Sequence, residues 1–168
     1  LMDSYASSFT SNEVLGAIQS GTYGRIAVSL MFYGNSSIQQ VAIPWMSIGN
    51  ASDAAQFASL ISGISRPLST KASDMASALN SAAASFGTET GGLSNGFEST
   101  VQIIDIAATT MPKAAGVQAA SNAALASGVD MIDAIAVSNN ATKASKIGFF
   151  FDSFVLGSTL VGPGPEAS

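Results

Sequence analysis

The sequence predicts an α/β fold with a mostly parallel central sheet, one antiparallel edge hairpin and helices on both faces. Apolar segments of strand length alternate with segments whose apolar residues recur at helical spacing. One segment is especially informative: the run VQIIDIAATTMP at residues 101–112 is an apolar, β-branched stretch followed by a small-residue turn and a proline. This pattern is typical of a buried parallel strand that delivers a loop to the top of a sheet.

The first half of the chain predicts a helix, a hairpin and two more helices. The hairpin strands are joined by a turn at residues 34–37, and Pro44 places the second strand at an edge because proline cannot donate a ladder hydrogen bond. Ser52 is the expected N-cap of the next helix, which Arg66 and Pro67 end. The predicted helices are residues 3–20, 53–64 and 73–86, and the predicted strands are residues 25–33 and 38–45.

The second half predicts the parallel part of the sheet. After a loop at residues 87–96, strands alternate with helices, and Gly128 is the expected C-terminal stop of an alanine-rich helix. We expect residues 1–156 to form one domain and residues 157–168 to form an extended, partly loose tail. The predicted strands are residues 100–107 and 130–137, and the predicted helices are residues 114–127 and 144–156.

Composition narrows the classes of function. Only 10% of the 168 residues are charged, the net charge is -5, and the six basic residues are scattered, which argues against nucleic-acid binding. A surface of low charge suits packing against other copies of the chain. The sequence contains no run of 18 apolar residues, so it predicts no membrane-spanning helix.

The chain contains neither cysteine nor histidine. Disulfides, thiol nucleophiles, imidazole bases and zinc or copper sites are thereby excluded, and the serines have no histidine base. We therefore expect no catalytic activity and no cofactor. The absence of cysteine fits an exported bacterial protein, either secreted or held at the cell surface, and a chain that begins at Leu1 is expected to be a processed product or a fragment.

Five segments together resemble a von Willebrand factor A-like domain, and most nearly a secreted bacterial A-domain-like family of uncharacterised function. The resemblance covers nearly the whole chain in the family's order. The segments are GRIAVSLMFYG at 24–34, QQVAIPWMSI at 39–48, SDAAQFASLISGISRP at 52–67, STVQIIDIAATT at 99–110 and ALASGVDMIDAIAV at 124–137.

The resemblance implies a divalent-cation site that is degenerate in this chain. Such domains hold the ion with an Asp-x-Ser-x-Ser loop after the first strand, a threonine from a second loop and an aspartate after the fourth strand. The first loop is not in this sequence, the threonine position falls near Thr70 or Ser73, and the aspartate position is Thr109. Hard cations need anionic oxygens, so we expect no ion here.

The resemblance also implies a central strand between the predicted strands at 25–33 and 100–107. Three arrangements would resolve the gap: the strand lies upstream in a precursor, the two flanking strands pair directly, or another copy donates a strand.

Two sets of acidic residues are candidates for a site. Asp105 lies within an apolar strand, where a buried carboxylate indicates either a functional group or a side chain bonded to loop amides. Asp130 and Asp133 are three residues apart, so on a strand they point to opposite faces and cannot share a substrate.

Two further features have both a structural and a functional interpretation. The cluster Phe149, Phe150, Phe151 and Phe154 is too dense for one helix stripe, so part of it packs on the sheet and part is a candidate self-association surface. The Asn-x-Ser/Thr sequons at Asn35, Asn50 and Asn140 are candidate glycosylation sites, or chance matches in a chain rich in Ser, Thr and Asn.

These observations lead to two hypotheses about function. The first is a secreted, non-catalytic structural protein that self-assembles with other copies into a filament, sheath or surface layer. The second is an extracellular adhesion module that binds a protein or glycan at the top of the sheet.

Overall fold

The computed structural model describes residues 2–65, 67, 73–86, 96–97, 99–152 and 157–161. These residues form two compact units, one made of Leu1–Phe32 with Gln40–Leu68 and the other of Tyr33–Gln39 with Ser69–Ser168. No helix within the described residues is long and apolar enough to cross a membrane.

The α/β class is confirmed. The elements are α1 (Met2–Phe9), α2 (Asn12–Ser20), β1 (Ile26–Tyr33), β2 (Gln39–Ile48), α3 (Ala51–Gly63), α4 (Met75–Phe86), β3 (Ile103–Ala108), α5 (Val117–Ala126), β4 (Met131–Val137), α6 (Ala141–Asp152) and β5 (Gly157–Val161).

The first unit contains two helices where the sequence predicts one. The hydroxyls of Ser7, Ser8 and Thr10 donate to backbone carbonyls three residues earlier. Ser11 then caps α2 by accepting a hydrogen bond from the Val14 amide at 3.2 Å. Serine and threonine compete in this way with the helical ladder, so the single helix predicted over residues 3–20 is wrong at Thr10 and Ser11.

Helix α3 begins at a different cap from the predicted Ser52. The Asn50 Oδ1 accepts hydrogen bonds from the amides of Ser52 and Asp53 at 2.9 and 3.0 Å. The Asp53 Oδ2 in turn accepts a hydrogen bond from the Gly49 amide, which precedes the cap, at 3.0 Å. This arrangement resembles a capping box with asparagine as the cap and satisfies amides that the helix leaves unpaired.

The core of the first unit lies between its helices and the antiparallel hairpin of β1 and β2. Phe57 of α3 is fully buried, and the Phe9 ring meets it edge-on at a centroid distance of 4.8 Å. Trp45 is half-buried on β2, and Pro44 is exposed on the same strand, as expected for an edge. The buried residues of this core are Ala6, Ile18, Ile43, Ile48, Ala54, Phe57 and Ile61.

The second unit contains the parallel sheet in the order β3-β4-β5. Alternate residues of β3 and β4 face the core, while Ile103 and Met131 on the other face are 46% and 45% exposed. These two residues lie where β3 and β4 begin, and the placement of helices on both faces stays a prediction. The buried residues of β3 and β4 are Ile104, Ile106, Ala108, Ile132, Ala134 and Ala136.

The end of α5 follows the prediction closely. Gly128 has a φ of 108°, the Val129 amide donates to the Ala124 carbonyl at 3.2 Å, and the Gly128 amide donates to the Leu125 carbonyl at 3.2 Å. This pair of bonds is a Schellman motif, in which the left-handed residue is usually glycine.

The C-terminal tail differs from the prediction. Gly157–Val161 is extended, as predicted, but it forms strand β5, which pairs in parallel with β4 and is therefore not loose. Edge pairing supplies the hydrogen bonds that a short, glycine-led segment cannot make by itself. Residues 153–156 of the predicted helix, residues 162–168 of the tail and residues 87–95 of the predicted loop lie outside the described residues.

The described strands form two sheets, where the sequence predicts one. Among the described residues, β1 pairs with β2 alone, and β3 pairs with β4 alone. Direct pairing of β1 with β3, one of the three arrangements considered for the gap, is therefore not observed in that part of the chain.

Candidate functional site

Three loops of the second unit meet at the carboxyl end of β3. They are the hairpin tip at 33–39, the segment that precedes α4 and the turn that follows β3. The Asp74 amide donates to the Gly34 carbonyl at 2.6 Å, and the Lys113 amide donates to the Ser73 carbonyl at 2.9 Å. Backbone bonds between distant segments therefore build this surface, and in α/β folds ligands bind at such an edge.

Local side-chain bonds shape two of these loops. The Asp74 Oδ1 accepts from the Ser77 amide at 3.1 Å and so caps α4. In the hairpin tip, the Asn35 Oδ1 accepts from the Ser37 amide at 2.9 Å, and the Ile38 amide donates to the Asn35 carbonyl at 2.9 Å. Aspartate and asparagine are favoured at these positions because their short side chains reach the nearby amides.

Neutral hydroxyls lie where the resemblance places the ligands of a cation. The Ser73 Oγ and the Thr110 Oγ1 are 3.4 Å apart, and Thr109 is half-buried in the same turn. Thr70, the other predicted position, lies outside the described residues. Within those residues no group of three or more acidic side chains is placed to hold a metal ion.

A family model described as a protein of unknown function, DUF1194, matches residues 2–164. This chain belongs to the DUF1194 family. No curated protein and no solved structure matches the chain.

Sequence reasoning missed a pair of carboxylates in this DUF1194 chain. Asp105 and Asp133 are direct partners in the parallel register of β3 and β4. Asp105 is exposed, so the expectation that it is buried is wrong: its place in the strand alternation sends it to the outer face. The sequence carries no local signal for this pair, because the register results from the pairing of two distant segments.

Asp130, the other acidic candidate, has a structural role. Its Oδ2 accepts from the Gln102 amide at 2.8 Å, and its own amide donates to the Gln102 carbonyl at 2.9 Å. These bonds join the residues that precede β3 and β4 and fix where the two strands begin to pair.

The phenylalanines of this cluster divide between the core and the surface, as expected of a cluster too dense for one helix stripe. Phe151 is fully buried, Phe150 is half-buried against it with ring centroids 5.9 Å apart, and Phe149 is 76% exposed. Phe154 lies outside the described residues. Phe149 is thus an exposed apolar side chain of α6.

Each sequon asparagine of the DUF1194 chain forms local backbone bonds. Asn35 shapes the hairpin tip, Asn50 caps α3, and the Asn140 Oδ1 accepts from the Lys143 amide at 2.9 Å and so caps α6. These bonds explain asparagine at all three positions in structural terms, because Asn is favoured at turns and N-caps. Glycosylation of the three residues stays a prediction.

Proposed function

We propose that this chain is a non-catalytic structural protein that acts outside the cell or at its surface and self-assembles into an ordered polymer. The observation that carries the proposal is the strand pairing: in the described part of the chain, β1 bonds only to β2, and β3 bonds only to β4. Each of these strands therefore has one edge that pairs with no other described strand, and such an edge is a template for pairing with a strand of another copy.

The open edge of β3 can be assigned to particular residues. The Met131 amide donates to the Gln102 carbonyl at 3.3 Å, so Gln102 directs its backbone toward β4. Alternate residues of a parallel strand point their backbone groups to the same side. Ile103 and Ala107 therefore direct their amides and carbonyls to the edge of β3 that faces away from β4, where a strand from another copy could pair.

The surface of the chain favours association over dispersion. Charged residues make up only 10% of the sequence, and the exposed apolar residues include Val41, Val101, Met111 and Phe149. Weak charge repulsion and exposed apolar side chains both lower the free energy of contacts between copies. Filament, sheath and surface layer are the forms of assembly that this proposal includes.

A proline substitution at the open edge tests this function. Ala107→Pro removes an amide that faces the edge, whereas Ala107→Val keeps the amide and is the matched control. We expect static light scattering to show large assemblies for the wild type and A107V, and a shift to small species for A107P. Circular dichroism melting of both variants checks that the fold survives. Equal assembly by A107P and A107V, with both folded, would contradict strand addition at β3.

A second candidate function is supported by the hydroxyl pair of Ser73 and Thr110. The hydroxyls and backbone amides at the carboxyl end of β3 suit an adhesion module that binds an uncharged glycan through hydrogen bonds. The test is binding of fluorescent wild type to an array of neutral oligosaccharides, compared with Ser73→Ala/Thr110→Val. Ser7→Ala/Ser8→Ala, which removes exposed hydroxyls of α1, is the control. Saturable binding lost only in the first variant would support adhesion, and its absence from every oligosaccharide would exclude neutral-glycan adhesion.

A further inference from the structure

The side-chain amide of Gln39, at the hairpin tip, contains a buried acceptor. Gln39 as a whole is half-buried, but its Oε1 is shielded from solvent, and no donor within the described residues lies at hydrogen-bonding distance from that oxygen. Buried polar atoms are paired in the great majority of cases, because an acceptor that loses water without gaining a donor destabilises the folded state. The Gln39 Oε1 therefore calls for a donor that the described residues do not supply.

The other end of the amide fixes its orientation. The Gln39 Nε2 donates to the Asn35 carbonyl at 3.2 Å. Exchanging the amide oxygen and nitrogen would set two acceptors against each other, so Oε1 is the end without a described donor. A distance of 3.2 Å is at the long end of the N–H···O range, so the amide can turn away from Asn35 at small cost and bring Oε1 to the surface.

Gln39 belongs to the same set of loops as the hydroxyls of Ser73 and Thr110. The hairpin tip is joined to the segment before α4 by the bond from the Asp74 amide to the Gly34 carbonyl, and Ser73 precedes Asp74 in the chain. The hairpin tip, the segment before α4 and the turn after β3 are all parts of the second compact unit. The fold thus gathers a side-chain acceptor and two hydroxyls in one cluster of loops.

The polar groups of this cluster favour a neutral ligand with several hydroxyls. The Gln39 Oε1 only accepts, so its partner must donate, which disfavours phosphate and carboxylate groups. The oxygens of Ser73 and Thr110 are 3.4 Å apart, which is long for two hydroxyls, so each can turn toward a third hydroxyl as donor or acceptor. Neighbouring hydroxyls of a sugar both donate and accept, and they match this combination.

We infer that Gln39 is a specificity-determining residue of a neutral-glycan site, in which its Oε1 accepts a hydrogen bond from a sugar hydroxyl while Ser73 and Thr110 bind a neighbouring part of the same ligand. This inference rests on the second candidate function, adhesion to an uncharged glycan, and names a group that selects the ligand. A sugar that presents this hydroxyl satisfies the acceptor, whereas a deoxy analogue leaves it unpaired. Sites built to bond a hydroxyl discriminate strongly against analogues that lack it.

Substitutions of Gln39 test this role by fluorescence titration with the neutral oligosaccharides of the adhesion array. Gln39→Met removes the acceptor at similar side-chain length, and we expect its affinity to be about three- to tenfold weaker than that of the wild type. Gln39→Glu keeps an acceptor but loses the donor to Asn35, so it should bind within about twofold of the wild type. Gln40→Met, at the adjacent exposed glutamine, is the matched control and should bind as the wild type does.

Analogues of the bound oligosaccharide that each lack one hydroxyl locate the contact. One of them should bind the wild type as weakly as the parent sugar binds Q39M, and Q39M should not distinguish that analogue from the parent sugar. If every analogue loses the same affinity in the wild type and in Q39M, no hydroxyl contacts Gln39 and the inference is wrong.

Circular dichroism melting separates binding from folding. Q39M should melt close to the wild type, because an apolar side chain leaves no acceptor unpaired. A lower melting temperature of Q39M with unchanged affinity would show a structural amide and overturn the inference, and so would equal losses of affinity in Q39M and Q39E. Binding that S73A/T110V abolishes and Q39M leaves intact would overturn this inference alone, whereas a wild type that binds none of the oligosaccharides would overturn adhesion and this inference with it.

Discussion

The hydroxyl oxygens of Ser73 and Thr110 lie 3.4 Å apart at the carboxyl end of β3, where the A-domain resemblance places cation ligands. Their loops are also joined by the hydrogen bond from the Lys113 amide to the Ser73 carbonyl. A neutral contact thus holds together loops that would carry anionic ligands in a cation-binding domain.

Restoring one carboxylate should not create an ion site. Thr109→Asp adds a single anionic group beside the Ser73 and Thr110 hydroxyls, and hard cations in proteins take about six to eight oxygen ligands, several of them charged. We expect titration calorimetry of T109D with Mg²⁺ to give only heats of dilution, as it should for T109N. Saturable binding by T109D alone would show that the loops already provide the other ligands.

The cap of α3 should contribute measurably to stability. Asn50→Ala removes the acceptor for the Ser52 and Asp53 amides and should lower the free energy of unfolding by about 1 kcal/mol. Asn50→Asp keeps an acceptor and should lose much less, and so should Ser52→Ala. Urea denaturation followed by circular dichroism makes the comparison. A larger loss in S52A than in N50A would identify Ser52 as the cap.

These caps illustrate what the sequence could and could not predict. The apolar periodicity predicts the existence and order of most helices and strands, because periodicity follows from which side faces the core. It does not decide between adjacent capping residues such as Asn50 and Ser52, since both types make the same bonds.

The candidate site and β5 show two further limits. The meeting of Ser73 with Thr110 and the register of Asp105 with Asp133 are contacts between distant segments, and no local pattern encodes such contacts. Strand β5 was missed because five residues led by glycine have little strand signal, and their pairing with β4 comes from the sheet itself.

Two glycine-to-alanine substitutions should change stability in opposite directions. Gly128 has a φ of 108°, which strains an alanine, so Gly128→Ala should destabilise the protein by about 1 kcal/mol or more. Gly16 lies within α2, where an added Cβ meets nothing within 4 Å, so Gly16→Ala should stabilise it by up to about 1 kcal/mol. Thermal unfolding measures both, and a stabilising G128A would contradict the left-handed conformation.

Substitutions of two phenylalanines should distinguish an effect on folding stability from an effect on association. Phe57 is fully buried between helices, so Phe57→Ala should cost about 3–5 kcal/mol of stability. Phe149 is 76% exposed, so Phe149→Ala should change stability by less than about 0.5 kcal/mol yet weaken assembly. Urea denaturation and light scattering report the two quantities. A large stability loss in F149A would place its ring in the core instead.

The most direct test of the central claim is negative-stain electron microscopy of the purified wild-type chain, with light scattering on the same sample. Self-assembly predicts ordered polymers of uniform width that grow with protein concentration. It also predicts that A107P shortens or abolishes them while A107V leaves them intact, because strand addition needs the backbone amide at that edge. A monodisperse monomer at all concentrations would contradict self-assembly and leave adhesion at the hydroxyl surface of Ser73 and Thr110 as the better-supported function.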